Sequence, residues 1–191
     1  MSMDPAAALD KLRAGNARFL AGERNGHAPD FDQMKAGQAP FAAVLGCADS
    51  RVPAEIIFNQ SFGDIFTVRV AGNVATATQI GSLDFAVEQL GCCLIVILGH
   101  SQCGAVKACL GANEKPSTEA GEPHINHVLE AILPGIAGTG DIESAVTANV
   151  HFQVKTLLEE STVIAKRVAE GKILVVGAEF DLATGEVTFF I

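Results

Sequence analysis

Short, continuous apolar runs alternate along the chain with longer segments whose apolar residues recur every three or four positions. The continuous runs have the length of strands that are covered on both faces of a sheet. They lie at 41–46, 65–70, 94–98 and 173–176. The segments that read as helical lie at 53–59, 78–90, 103–110 and 141–171. After a turn at 181–185, residues 186–191 are predicted to return as a fifth, antiparallel strand. This alternation predicts an α/β fold, with a mostly parallel sheet flanked by helices.

The first forty residues are predicted to form a helical arm followed by a loop. Asp4 is suited to cap a helix, Pro5 fits its first position, and Gly22 ends it. The apolar residues of this helix share one face, which consists of Leu9, Leu12, Phe19 and Leu20. We therefore expect a single domain over residues 41–191, preceded by an arm and loop over residues 1–40.

Composition narrows the class of protein. The chain has 191 residues, which is enough for one domain, and 49% of them are hydrophobic while 18% are charged, which excludes a disordered chain. The net charge of −9 argues against partners that are nucleic acids or anionic membranes, because both bind clustered Lys and Arg. The apolar runs are too short to cross a bilayer.

The cysteines indicate free thiols rather than disulfides. There are five of them, an odd number, and no signal-peptide pattern precedes them, since Asp4 introduces a charge early. We therefore expect a reducing, cytoplasmic compartment. There, a cysteine close to histidine and aspartate more often serves metal binding or catalysis than disulfide formation.

Reactive side chains follow directly after the first and third predicted strands. The first strand leads into Cys47, and the third leads into His100 and Cys103. In parallel α/β sheets, chemistry sits beyond the carboxyl ends of the strands. If these strands are neighbours, two thiols and one imidazole converge, and zinc prefers that set of donors. The structural alternative makes Cys47 a core thiol and His100 a helix-capping residue.

Asp49 and Arg51 are spaced to form a pair beside such a site. In extended backbone, residues two apart project to the same side, so a two-pronged hydrogen bond between them is expected. A paired Asp49 stays off a metal and is free to accept a proton or a hydrogen bond. A released Asp49 is able to fill the fourth ligand position, so this carboxylate decides between an open and a closed site.

The segments Cys-Ala-Asp-Ser-Arg at 47–51 and His-Ser-Gln-Cys-Gly at 100–104 resemble the signature of the β-class carbonic anhydrases. Further similarity lies in LRAGNARF at 12–19, GDIFTVRVAGNV at 63–74 and ILVVGAEFDLATGEV at 173–187. The resemblance therefore covers nearly the whole chain, in the right order.

This resemblance implies one Zn²⁺ per chain held by Cys47, His100 and Cys103, with Asp49 and Arg51 as the catalytic dyad. It implies a lyase that reversibly hydrates carbon dioxide to bicarbonate and a proton, by attack of zinc-bound hydroxide. It also implies a sheet in the order 2-1-3-4, which makes the first and third strands neighbours. Residues 41–191 are then the zinc-binding catalytic domain.

Four further residues match positions that bind substrate in the resembling family. Gln38 matches an amide that hydrogen-bonds substrate or bicarbonate, and Gly104 matches a glycine that lets a backbone N–H approach the reacting species. Phe66 and Phe85 match an apolar lining around carbon dioxide, often supplied across a dimer interface. The N-terminal helix of that family reaches over a neighbouring subunit, so we expect a homodimer or a higher homo-oligomer.

Some members of the family carry a second, inhibitory bicarbonate pocket made of a tryptophan, an arginine and a tyrosine. Here those positions read Val44, Arg69 and Phe180, so only the arginine is present. We therefore expect weak bicarbonate inhibition through that pocket and a site that stays open near neutral pH.

Three other functions use some of the same residues. A hydrolase of carbon disulfide or carbonyl sulfide would use the same fold and ligands. A non-catalytic zinc module would need neither Asp49 nor Arg51. A cysteine nucleophile, with Cys47 activated by His100, would leave Cys103 without a role.

Overall fold

A five-stranded sheet in the order β2-β1-β3-β4-β5 forms the centre of the protein. In this computed structural model, residues 3–23, 30–111 and 123–190 are described. The strands are β1 (Ala42–Gly46), β2 (Ile65–Arg69), β3 (Leu94–His100), β4 (Leu174–Phe180) and β5 (Val187–Phe190). The first four are parallel, and β5 runs antiparallel to β4. The predicted α/β class and strand order are confirmed.

Helices cover both faces of the sheet. They are α1 (Pro5–Leu20), α2 (Phe31–Ala36), α3 (Ala54–Ile57), α4 (Ala77–Glu88), α5 (Gly104–Gly111), α6 (Pro123–Ile136), α7 (Ile142–Glu160) and α8 (Thr162–Ala169). Among the described residues, no helix combines the length and the apolar character needed to cross a membrane.

The two faces of β1 and β3 are buried in separate cores, which explains their continuous apolar sequences. Alternate residues of β1 belong to different cores, with Val44 on one side of the sheet and Leu45 on the other. Val96 and Ile97 of β3 divide in the same way. A strand that is covered on both faces exposes neither face to water, so apolar side chains are favoured along it.

Three helix assignments differ from the sequence-based expectation. The long helical stretch at 141–171 is two helices, because the backbone of Ser161 is extended, with φ −97° and ψ 103°. The Ser161 hydroxyl accepts a hydrogen bond from the N–H of Ile164 and thereby caps α8. Helix α2 lies within the loop predicted before residue 41, and α6 lies between 110 and 141, where the sequence pattern predicts no helix.

Helix α1 packs against its own chain. Leu9 and Leu12 are buried in the same core as β1 and β3. Asn16 donates to the carbonyl oxygens of Ile57 and Gly185, at 3.2 and 3.0 Å. Leu9 and Leu12 of this apolar face are therefore covered within the chain, whereas Leu20 at the end of α1 is 48% exposed.

Gly15 tests this close packing. A Cβ at position 15 would lie 1.8 Å from the backbone oxygen of Phe58, so α1 must move away from α3 in a Gly15→Ala variant. We expect a loss of about 1–3 kcal/mol in the free energy of unfolding, as is typical of overpacking. Urea unfolding followed by circular dichroism measures it.

Gly81→Ala is the matched control, since Gly81 also lies within a helix but has no atom within 4 Å of its Cβ position. This variant is expected to gain up to about 1 kcal/mol, because alanine favours helix more than glycine does. An unchanged unfolding midpoint for Gly15→Ala would contradict the packing of α1 described above.

Candidate metal centre

The parallel register of β1 and β3 brings Cys47 and His100 together. Gly46, the last residue of β1, lies opposite Leu98 of β3. Cys47 follows β1 directly, and His100 is the last residue of β3 rather than a loop residue beyond it. The two side chains therefore leave neighbouring strands at the same edge of the sheet.

A tight turn returns Cys103 to the same point. Gln102 has a φ of 56°, in the left-handed region, and Cys103 immediately precedes α5. The ligand atoms of Cys47, His100 and Cys103 all lie within 4.8 Å of one another, and all three residues are buried. We call these three residues the ligand cluster.

His100 is oriented by its own loop. Its Nδ1 lies 2.9 Å from the carbonyl oxygen of Ser101, and since a carbonyl only accepts, Nδ1 is the donor. The other ring nitrogen, Nε2, therefore carries the free lone pair. This buried Nε2 has no hydrogen-bond partner among the described residues, which is costly unless another group binds it.

The sulfur of Cys47 is surrounded by donors. The backbone N–H groups of Asp49 and Gly72 each donate to it, at 3.4 Å. The thiol of Cys103 contributes most to lowering the pKa of Cys47, and His100 and these two N–H groups lower it further against the effect of burial. The pKa of Cys103 is raised, first by its hydrogen bond to Cys47 and then by burial. The N–H donors around Cys47 thus favour its thiolate, which is the form that binds metal.

Arg51 holds the Asp49 carboxylate in the predicted pair. The backbone there is a turn, in which the N–H of Val52 donates to the carbonyl oxygen of Asp49, rather than the expected extended chain. Arg51 Nε donates to Asp49 Oδ1 at 2.9 Å, and Nη2 donates to Oδ2 at 2.7 Å. The side-chain hydrogen bonds from Arg51 hold the pKa of Asp49 well below its usual range. Asp49 Oδ2 also lies 3.9 Å from His100 Nε2, so a charged carboxylate stands beside the ligand cluster.

Arg69 has a role that the sequence did not reveal. Its Nε donates to the carbonyl oxygen of Cys47 at 3.0 Å, and its Nη2 donates to that of Asp49 at 2.5 Å. The other two positions of the second bicarbonate pocket are apolar and buried, with Val44 fully enclosed and Phe180 packed against Phe19. Arg69 therefore binds the loop that carries Cys47 and Asp49. Its contacts lie far apart in sequence, so no local signal predicts them.

The ligand cluster fits zinc. Two thiols and one imidazole are donors that zinc prefers, and the buried, unpartnered Nε2 of His100 is placed to donate its lone pair to a metal. Asp49 is engaged by Arg51, which leaves a fourth position open.

Three of the predicted substrate residues lie away from the ligand cluster of their own chain. Gln38 precedes β1 and Cys47 follows it, and the strand between them alone spans about 16 Å. Phe66 lies near the amino end of β2, and the half-exposed Phe85 of α4 packs against it, with ring centroids 6.4 Å apart. Their predicted role therefore requires the site of a second copy.

Gly104 begins α5 directly beside Cys103. No atom lies within 4 Å of the position that a Cβ would take there. Within the chain, then, crowding by protein atoms does not require a glycine at this position.

The fold and the ligand cluster together define the class: an α/β protein with a candidate transition-metal centre beyond the carboxyl ends of two neighbouring parallel strands. A profile of the family described as "Carbonic anhydrase" matches residues 42–187. Carbonic anhydrase 2 of Mycobacterium tuberculosis is 38% identical over 190 residues, which cover 95% of this chain and 91% of that protein. A carbonic anhydrase of Mycolicibacterium smegmatis is also 38% identical, over 96% of this chain and 92% of the other.

Comparison with solved structures points to the same family as these relatives. The β-carbonic anhydrase CcaA superimposes with a TM-score of 0.75 at 28% identity, over 96% of this chain and 88% of that one. The chain thus belongs to the carbonic anhydrase family and, within it, to the β class.

The pairing of Asp49 is testable by carbon-13 NMR titration of its carboxyl group. We expect the Asp49 pKa to lie below the ordinary value of about 3.9, and Arg51→Gln to raise it, because the two-pronged donor is lost. The pKa of Asp49 is lower in the folded protein than in the unfolded chain. The pair therefore stabilises the fold at pH values above the ordinary pKa of an aspartate, and this stabilisation is lost as the pH falls through the pKa of the folded protein.

Arg13→Gln is the control, because Arg13 lies on α1 and pairs with Asp10 instead. It should leave the Asp49 titration unchanged. An Asp49 pKa that does not respond to Arg51→Gln would contradict the pairing.

Proposed function

We propose that this chain catalyses the reversible hydration of carbon dioxide to bicarbonate and a proton, with one Zn²⁺ held by Cys47, His100 and Cys103. The observation that carries the proposal is the buried ligand cluster with a charged, paired Asp49 beside it. Relatives named carbonic anhydrase, 38% identical over most of the chain, support the same reaction.

The residues at the ligand cluster have separate roles in the proposed reaction. A zinc ion at this cluster would lower the pKa of water, so that hydroxide is available near neutral pH. Arg51 keeps Asp49 away from the fourth ligand position. Asp49 Oδ2, beside His100, then accepts a hydrogen bond or a proton from the water that reacts. Gly104, directly after Cys103 in the chain, lets its backbone N–H approach the reacting species.

A site with Asp49 held in this way should be open at neutral pH. The anion pocket that closes some members of the family lacks two of its three polar residues here, at Val44 and Phe180. Its third, Arg69, is engaged by backbone carbonyls. We therefore propose activity at pH 7 without strong bicarbonate inhibition through that pocket.

We propose that the active unit is a homodimer or a higher homo-oligomer. Gln38, Phe66 and Phe85 lie too far from the ligand cluster of their own chain to touch its substrate. In an oligomer they are able to reach the ligand cluster of a second copy instead. Phe85 is 49% exposed and packs on Phe66 near the edge strand β2, so an apolar surface is available there.

We also propose a reducing compartment for this protein and a division of the chain into two parts. The five cysteines are all free thiols, as expected in a reducing compartment such as the cytoplasm. The division into an arm over residues 1–40 and a catalytic domain over residues 41–191 agrees with the start of the family match at residue 42.

Zinc content tests the ligand assignment. Cys103→Ser should lose the metal, because a hydroxyl is a harder and far less acidic ligand than a thiol. Cys109→Ser is the matched control: Cys109 is equally buried, on the helix that follows, but its Sγ contacts the carbonyl of Leu129 instead of the cluster. Atomic absorption should find one zinc per chain in the wild type and in Cys109→Ser. Retention of zinc by Cys103→Ser would contradict the assignment.

Stopped-flow hydration of carbon dioxide at pH 7, on zinc-loaded protein, tests the reaction. Asp49→Asn should keep one zinc per chain and lose activity about 100-fold or more, because an amide cannot take the proton. Asp10→Asn, on the exposed surface of α1, should be as active as the wild type.

The other outcomes identify the alternatives. If the zinc-loaded protein hydrolyses carbonyl sulfide or carbon disulfide but does not hydrate carbon dioxide, the proposed substrate is wrong and the sulfur compound takes its place. Activity at pH 8.5 but not at pH 7 would mean that Asp49 closes the site near neutrality. Zinc binding without any of these activities would favour a non-catalytic module.

A further inference from the structure

Two amide side chains that the proposed reaction does not use are buried on α7. Asn149 and Gln153 lie one helical turn apart, and each is 1% exposed. Burying an amide is costly unless its polar atoms are hydrogen-bonded, so their partners show what these side chains do. Gln153 Nε2 donates to Asn149 Oδ1 at 3.0 Å, which joins the two amides into one unit, and to the carbonyl oxygen of Ala131 on α6 at 2.9 Å.

This amide pair holds the backbone segment 72–75, which follows β2. Asn149 Nδ2 donates to the carbonyl oxygen of Gly72 at 3.0 Å. Gln153 Oε1 accepts from the N–H of Ala75 at 2.8 Å. The segment begins in a short 3-10 turn outside the sheet, so these side chains supply hydrogen bonds that no strand ladder provides there.

Gly72 links this segment to the ligand cluster, because its N–H donates to the sulfur of Cys47 at 3.4 Å. Its φ of 69° lies in the left-handed region, and a Cβ there would come within 2.5 Å of Ile132 Cδ1. The backbone at Gly72 is thus tightly packed. Its carbonyl oxygen accepts a hydrogen bond from the Asn149 side chain, while its N–H donates to the sulfur of Cys47.

We propose that Asn149 and Gln153 are positioning residues for the metal centre, which act through the N–H of Gly72 on the sulfur of Cys47. A donor held on a thiolate stabilises its charge and fixes its direction. The groups that orient metal ligands in this way commonly change metal affinity 10- to 100-fold when removed. The inference rests on the proposed function only in that Cys47 binds the metal.

The test is the rate at which the full chain releases zinc to a chromophoric chelator at pH 7, together with the thiolate-to-metal charge-transfer band of the Co(II)-substituted protein. Asn149→Ala should release zinc about 10- to 100-fold faster than the wild type and shift that band. Gln153→Met is a second, milder variant, which keeps the bond from Asn149 to Gly72 and should show a smaller change in the same direction.

Leu157→Ala is the control for a loss of stability alone. Leu157 lies on the same helix and is fully buried, but its apolar side chain makes none of the hydrogen bonds that hold segment 72–75. Its variant should unfold at lower urea concentration while zinc release and the cobalt band stay as in the wild type.

Two results would overturn the inference: wild-type release and an unshifted band in both amide variants, or equally fast release from Leu157→Ala. In both of these cases the wild type still holds zinc, so the proposed function stands. A wild type that takes up neither zinc nor cobalt would overturn the proposed function and the inference together.

Discussion

The parallel pairing of β1 with β3 is the constraint on which the ligand cluster depends. With Gly46 opposite Leu98, Cys47 and His100 leave the sheet side by side. A slip of one residue would turn the side chains of one strand to the opposite face. Such a slip is prevented because both faces of both strands are buried in separate cores. Burial of apolar side chains far from the cluster therefore sets where its ligands lie.

Hydrogen-bond donors then fix the segment from Cys47 to Asp49. Arg51 binds the Asp49 carboxylate, Arg69 binds the carbonyls of Cys47 and Asp49, and the N–H of Gly72 faces the Cys47 sulfur. In a chain with a net charge of −9, this concentration of positive charge and donors is local. It favours the ionised carboxylate and the thiolate, which are the forms that a metal centre with an open position requires.

The parts of the fold that were predicted correctly are those with a signal inside one segment. Buried strands appear as continuous apolar runs, and the Asp49–Arg51 pair follows from a spacing of two residues. The break at Ser161 was missed because helical periodicity continues across it, and only the hydroxyl bound to the N–H of Ile164 marks the new helix. The pattern of α1 shows that one face is apolar but not what covers it: the chain's own core covers Leu9 and Leu12, whereas Leu20 is half-exposed.

By itself, the sequence determined the α/β class, the set of two thiols and one imidazole, and the carboxylate–guanidinium pair beside them. These depend on residue type and on spacing within a segment, which the chain carries directly. The tertiary structure decided that Cys47 and His100 meet across neighbouring strands, that Gln38 lies at the opposite end of β1, and that Asn149 supports Gly72. These are contacts between residues far apart in the chain, and they exist only because the packing of the two cores sets the register of the sheet and the position of α7 against it.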